Sequence, residues 1–290
     1  MDRHLLPRTA DDAGHLYVDR ARIDREDGAI VVWDQEGKIP VPAATLSVLL
    51  LGPGSTITHA AVLLLAEVDC LISWVGECEE RFYATGSPDR GAGNLLRQAR
   101  AWADPVNHLA VVHRMYAKRF AQPIAAGTPV AVLRGREGLR VRATYAAQST
   151  AHGVPWSRRT SGSRDWASAD PINRAISAAH VTLYGVVHSA IIGAGFSPAL
   201  GFIHTGSSRS FVFDIADLYK DEVAVPTAFR VVAESPQDVE GRVRTACRGA
   251  FRSARLFDRI VADIDAAIGS PREPSDDQPH LWDPPTEVAS

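Results

Sequence analysis

The sequence predicts an α+β protein of two domains: an N-terminal β-rich domain over residues 1–87, a linker at 88–93 and a larger α-helical domain over 94–269. Three observations predict it. Short β-branched and aromatic runs, separated by Gly, Pro and Asp turn signals, fill the first 86 residues. Helical spacing takes over from Asn94. Between them stands the Gly/Pro-rich stretch GSPDRGAG, a natural boundary.

In chain order, HLYVDRARI, GAIVVWD, KIPVPAATLSVLLLGPG, CLISWVG and ERFYATG read as strands. One helix interrupts them: THAAVLLLAEV is rich in Ala and Leu, and Thr58 can cap its first amides, so it serves as a crossover. Beyond the boundary, NLLRQARAWADP, VNHLAVVHRMYAKRF, LRGREGLRVRATYAAQST, DPINRAISAAHVTLYGVVHSAIIGAG and VRTACRGAFRSARLFDRIVADIDAAI read as helices, with Asp170 as a cap and Pro171 at the first helical position. The closing SPREPSDDQPHLWDPPTEVAS is polar, Pro-rich and poor in branched apolar residues, which predicts a disordered tail over 270–290.

A content of 46% hydrophobic and 22% charged residues excludes disorder for most of the chain. Cys70, Cys78 and Cys247 form no CxxC pair, so neither a zinc knuckle nor a disulfide framework is expected, and a reducing cytoplasm is the natural location. The first residues lack a secretory apolar core, and apolar runs such as AAVLLLAEV fall short of a membrane span. The formal net charge of −3 conceals an asymmetry. Residues 1–86 carry 7 basic and 14 acidic side chains, whereas residues 94–174 carry 13 and 4. The first part repels phosphate and the second attracts it.

The stretch GFIHTGSSRSFVFDIADLYKDE, residues 201–222, holds the chemistry. Read as one amphipathic helix from Ser210, it puts Phe211, Val212, Ile215 and Leu218 on one stripe and Asp214, Asp217 and Asp221 on another. A solvated acidic face is the commoner meaning of such a pattern. Here the carboxylate stripe is narrow, interleaved with Phe213 and Tyr219, and His204 lies just before it, which points to an oxygen-rich site for Mg²⁺ or Mn²⁺. His59, His113, His180 and His188 have no acidic partner at such spacing and read as structural. Glu137 stands alone among Arg134, Arg136, Arg140 and Arg142; it either neutralises a neighbouring arginine or is a carboxylate held amid cations that grip phosphate.

These motifs together, LRGREGLRVRATYA, DWASADPINRAISAAHVTLYGVVHSAIIGAGFSPALGFIHTG, SFVFDIADLYK and VRTACRGAFRS, in this order, resemble the CRISPR adaptation integrase, the catalytic subunit of spacer acquisition, in its type I-E form. The resemblance runs to about residue 270. It implies a β-rich dimerisation domain followed by a helical catalytic domain, with catalytic residues Glu137, His204, Asp214 and Asp217. Of these, Glu137, His204 and Asp217 would hold the metal with Asp214 supporting, while Asp221 is left to a solvated face. It further implies DNA contacts by Arg81, Arg134, Arg136, Arg140, Arg142, Lys220, Arg244 and Arg248. The aromatic wedge that caps a DNA end in the family falls by register on Arg20, with Tyr17 the nearest ring. Partners implied are double-stranded DNA (prespacer and repeat), a small ferredoxin-like adaptation subunit and a second copy of the chain, two dimers per complex, with no membrane. Two other functions remain open on the residues alone. One is a non-catalytic nucleic-acid scaffold; the other is a branched-DNA repair nuclease that works without the partner subunit.

Overall fold

The computed structural model describes residues 14–35, 37–76, 82–86, 92–125, 127–158 and 170–269. The expected tail at 270–290 and residues 88–91 of the expected linker lie outside them, as do Arg81 and Cys78.

The N-terminal region consists of β1 (Gly14–Val18), β2 (Arg22–Glu26), β3 (Ala29–Trp33), β4 (Lys38–Pro42), β5 (Leu46–Leu51), β6 (Thr56–Ile57), helix α1 (His59–Glu67), β7 (Leu71–Val75) and β8 (Phe82–Gly86). They form two four-stranded sheets, in the orders β1-β5-β7-β8 and β4-β3-β2-β6. In the first, β5 pairs parallel with both β1 and β7, which explains its uninterrupted apolar sequence. Alternate side chains of β5 go to opposite sides. Val48 and Leu50 join the large core shared with the helices, and Leu49 and Leu51 join a smaller core with Ile23, Ile30 and Leu65. Thr58 caps α1 by accepting from Ala61 N, as expected, and its hydroxyl donates to Asp24 at 2.9 Å.

HLYVDRARI, expected as one strand, is two strands in different sheets. The chain turns at Arg20, whose φ is +48°, and Arg20 N donates to Pro53 O at 3.0 Å. The turn is packed on Gly52, where a Cβ would lie 2.7 Å from Tyr17 Cζ and 2.9 Å from Asp19 Cβ. Tyr17 is therefore built into this corner, with the Arg248 guanidinium 5.2 Å from its ring centroid. Gly52→Ala is expected to destabilise the protein by about 1–3 kcal/mol through this overpacking, read as a lowered midpoint in urea.

The helical region comprises α2 (Gly93–Ala103), α3 (Pro105–Arg119), α4 (Val130–His152), α5 (Pro171–Gly193), α6 (Ser210–Ala216), α7 (Val225–Glu234), α8 (Val239–Ser253) and α9 (Leu256–Ile268). At α5 Asp170 accepts from Asn173 N with Pro171 in the first turn, as expected, and Asp104 caps α3 in the same way. Helix α5 is long and apolar enough to cross a membrane, contrary to the expectation from the apolar runs, but 72% of that window is buried inside the protein. It is the central core helix, packed on α6, α7, α8 and α9 and, through Gly193, on Leu71 and Val48 of the first sheet.

Three helical boundaries differ from the sequence reading. The single helix expected over 243–268 breaks into α8 and α9 at Arg255, φ +47°, which lets Phe257, Ile260 and Ile264 turn into the core; no Gly or Pro marks the break. Helix α7 had no counterpart in the reading. The stretch expected as one acidic amphipathic helix is α6, a tight turn at Asp217–Tyr219, and a π-helical turn at Lys220–Ala224 closed by Val225 N donating to Lys220 O.

Candidate active site

His204 sits on a loop that could not hold its shape by backbone pairing alone. Helices α2 and α3 fix it. Gln98, fully buried, donates to Ser197 O and Leu200 O at 3.0 Å each and accepts from Ser197 N at 2.7 Å. Trp102 Nε1 donates to Gly201 O at 3.1 Å, and the His108 ring bridges Trp102 O and Phe202 O. At Gly201 a Cβ would lie 2.6 Å from Ser210 Cβ and 2.7 Å from Ser210 C, so loop and α6 touch at a point where only glycine fits.

Asp214 then determines where His204 points. It is fully buried; one carboxylate oxygen accepts from Phe202 N at 2.6 Å and Ile203 N at 3.0 Å, and the other from His204 N at 2.8 Å and His204 Nδ1 at 2.7 Å. Nδ1 is thereby occupied, which leaves Nε2 as the ring's ligand or proton-carrying atom. Asp214 is thus a positioning residue behind His204.

Glu137, on α4, and Asp217, at the end of α6, meet at Arg119, the last residue of α3. Arg119 Nη2 donates to Glu137 Oε1 and, at 3.3 Å, to Asp217 Oδ2. Arg140 clasps Glu137 through Nε at 3.0 Å and Nη2 at 2.9 Å, and its Nη1 lies 2.8 Å from Asp221 Oδ2. Lys220 Nζ lies 2.6 Å from Asp217 Oδ1 and 4.9 Å from the Tyr184 ring centroid. Asp221, expected on a solvated face, is instead 13% exposed and built into this cluster, because the π-helical turn rotates it inward. Burial penalises the charge of Asp217, but Lys220 and Arg119 outweigh it and hold its carboxyl below the usual carboxylate range. For Asp221 burial prevails over Arg140, and its pKa is raised.

The structure therefore brings Glu137 and Asp217 together on Arg119, and Asp214, three residues before Asp217, ties His204 to α6. Of the basic residues expected on DNA, Arg134 and Arg142 are exposed on α4, Arg136 covers the Phe120 ring at 4.7 Å, and Arg140 and Lys220 are committed to carboxylates. Arg244 and Arg248 are half-buried on α8. Sequence reasoning missed Arg119, Gln98, Trp102 and His108, whose roles come from contacts about 94 to 102 residues away in sequence, except for the Arg119–Glu137 and His108–Trp102 pairs. His188 is buried and its pKa lowered to about 4, chiefly by burial, so it is a neutral core histidine. Cys70 and Cys247 are buried too, and burial pushes the Cys247 thiol up to about 12.

Among the described residues no three His, Cys, Asp or Glu side chains close around a common point. The donor chemistry nevertheless suits a hard divalent cation. Two carboxylates converge on one guanidinium nitrogen, a positive group standing where such an ion would be shared, with an oriented imidazole nearby.

Comparison with known proteins gives one answer. The family model "CRISPR associated protein Cas1" matches residues 116–242. A "CRISPR-associated endonuclease Cas1 2" of Thermus thermophilus is 51% identical over 293 residues, 98% of this chain and 90% of that protein. The "CRISPR-associated endonuclease Cas1" of Escherichia coli is 40% identical, over 93% and 90%. The crystal structure of a TtCas1–DNA complex superposes with a TM-score of 0.80 at 52% identity, covering 91% of this chain and 99% of that one.

Proposed function

The chain belongs to the CRISPR-associated Cas1 family, and from that premise we propose that it is a metal-dependent DNA integrase with endonuclease activity, in the type I-E form, that inserts spacer DNA into a CRISPR array. The observation that carries this reading is the convergence of Glu137 and Asp217 on a single nitrogen, beside a histidine whose ring is fixed from behind by a buried carboxylate. Support for DNA as the partner comes from the related DNA complex and from the excess of 13 basic over 4 acidic residues in 94–174.

Glu137, Asp217 and His204 Nε2 would hold Mg²⁺ or Mn²⁺, which when bound supplies positive charge against the phosphate and makes a hydroxyl more acidic. Around it the chain's own groups do the rest. Arg134 and Arg142, and further along α8 Arg244 and Arg248, hold the DNA backbone without reading sequence. Asp214 keeps the imidazole aligned, and Arg140 keeps Glu137 in place. The fragment's 3′-oxygen then forms a bond to phosphorus at the repeat boundary as the existing P–O bond breaks; the proton lost by the attacking hydroxyl ends on the displaced 3′-oxygen. With water in place of the hydroxyl, the same site cleaves DNA.

In this reading the protein works in the cytoplasm as two homodimers flanking a small ferredoxin-like adaptation subunit. Trp33, Ile39 and Tyr83, large apolar side chains exposed on the two sheets, favour protein contact there. A labelled short duplex, supercoiled repeat DNA and the partner subunit provide the test. Joined product that requires Mg²⁺ or Mn²⁺ and the partner supports the integrase. Cleavage of branched DNA at full rate by the chain alone would favour the repair nuclease, and DNA binding with neither product would favour the scaffold.

A further inference from the structure

Three acidic side chains, Glu137, Asp217 and Asp221, share the site with three basic ones, Arg119, Arg140 and Lys220. The formal charges of these six groups cancel. A divalent ion placed between Glu137 and Asp217 would add two positive charges to a poorly solvated space, so moving one resident cation aside would relieve the repulsion. Two of the three stand outside the gap between those carboxylates. Arg140 reaches Glu137 through two nitrogens and Asp221 through a third, and Lys220 bonds Oδ1 of Asp217, the oxygen that Arg119 does not contact, and rests on Tyr184.

Arg119 is the cation that stands between the two proposed metal-binding carboxylates. A single nitrogen spans both carboxylates, on Glu137 Oε1 and Asp217 Oδ2. Its side chain is 5% exposed, and its Nε, also buried, has no hydrogen-bond partner. Beneath it lies the Tyr116 ring, 5.3 Å from Cζ, a surface along which a guanidinium can slide without being desolvated afresh. It is also the last residue of α3, where the backbone is leaving the helix at Phe120.

We propose that Arg119 is the resident counter-ion of the metal site: it holds Glu137 and Asp217 together in the metal-free protein, yields its place to the incoming divalent ion, and so sets the affinity for that ion. This rests on the metal-dependent reading above. Arg119 is a positioning residue, acting through the two carboxylates.

The test is Mn²⁺ binding by the full-length purified chain without DNA, measured by calorimetry or by loss of the free-ion EPR signal, for wild type, Arg119→Met and Arg119→Lys. Met keeps the stem and removes the competing charge; Lys keeps the charge and loses the fork. Affinity is expected to rise in the order wild type, Lys, Met, by about tenfold for Met. Thermal unfolding in EDTA should show the metal-free Met variant melting below wild type, with a larger rise on adding Mn²⁺. Equal or weaker binding by the variants, with normal binding by wild type, overturns the role of Arg119 alone. No Mn²⁺ binding by wild type overturns the metal reading and this inference with it. If the Met variant does not fold, a few-fold gain in the Lys variant supports the proposal, and the absence of any gain overturns it.

Discussion

Glu137→Ala is expected to lower strand joining by at least about a hundredfold while leaving DNA binding nearly intact. Glu137 meets both Arg119 and Arg140, so its loss removes a ligand of the proposed metal and a group that keeps two guanidinium side chains folded inward. Arg119 keeps its 3.3 Å bond to Asp217, and Arg140 keeps Asp221, so the variant should still fold. Glu137→Gln separates charge from shape: the amide oxygen can still accept from Arg140, but an amide is a poor ligand for a hard cation. Both variants should be inactive in joining and retain binding to the same duplex. Joining at the wild-type rate in either one would remove Glu137 from the chemistry and, with it, the site described here.

The second large effect is structural first and catalytic second. Asp214→Ala should cost about 3–5 kcal/mol of stability, because four donors, three of them backbone N–H groups, lose their common acceptor in a fully buried place. Urea titration would show this as a lower midpoint. Asp214→Asn retains one oxygen acceptor and should fall between. At a temperature where Asp214→Asn is still folded, joining should drop about 10–100-fold, since the imidazole of His204 is no longer fixed through Nδ1. A stability loss with unchanged joining would mean that the orientation of His204 is immaterial, and a variant as stable as wild type would contradict the hydrogen bonds themselves.

Much of this was legible in the chain. Alternating and continuous apolar runs marked β1, β3, β5 and β7, and Thr58 and Asp170-Pro171 marked helix starts, because a cap is a local competition between one side chain and two or three backbone amides; Asp104-Pro105, expected at the end of one helix, instead opens α3. Glu137, His204 and Asp217 could be singled out from residue type and resemblance. The breaks could not be read. Arg20 and Arg255 lack Gly or Pro, and the π-helical turn after Tyr219 has Pro226 only just beyond it; each exists because the flanking segments gain more by entering a shared core than by continuing one element.

By itself, then, the sequence determined the order of β-rich and helical regions, the uneven charge and the residue types able to hold a hard cation, all of which depend on neighbours along the chain. Only the tertiary structure decided that Asp221 turns inward, that Asp214 serves His204, that Gln98, Trp102 and His108 hold the loop, and that Arg119 stands between Glu137 and Asp217. The reason is physical. A charge in a poorly solvated site takes its meaning from the groups within a few ångströms, and here α3, α4 and the turn after α6 supply them from positions up to 98 residues apart in the chain.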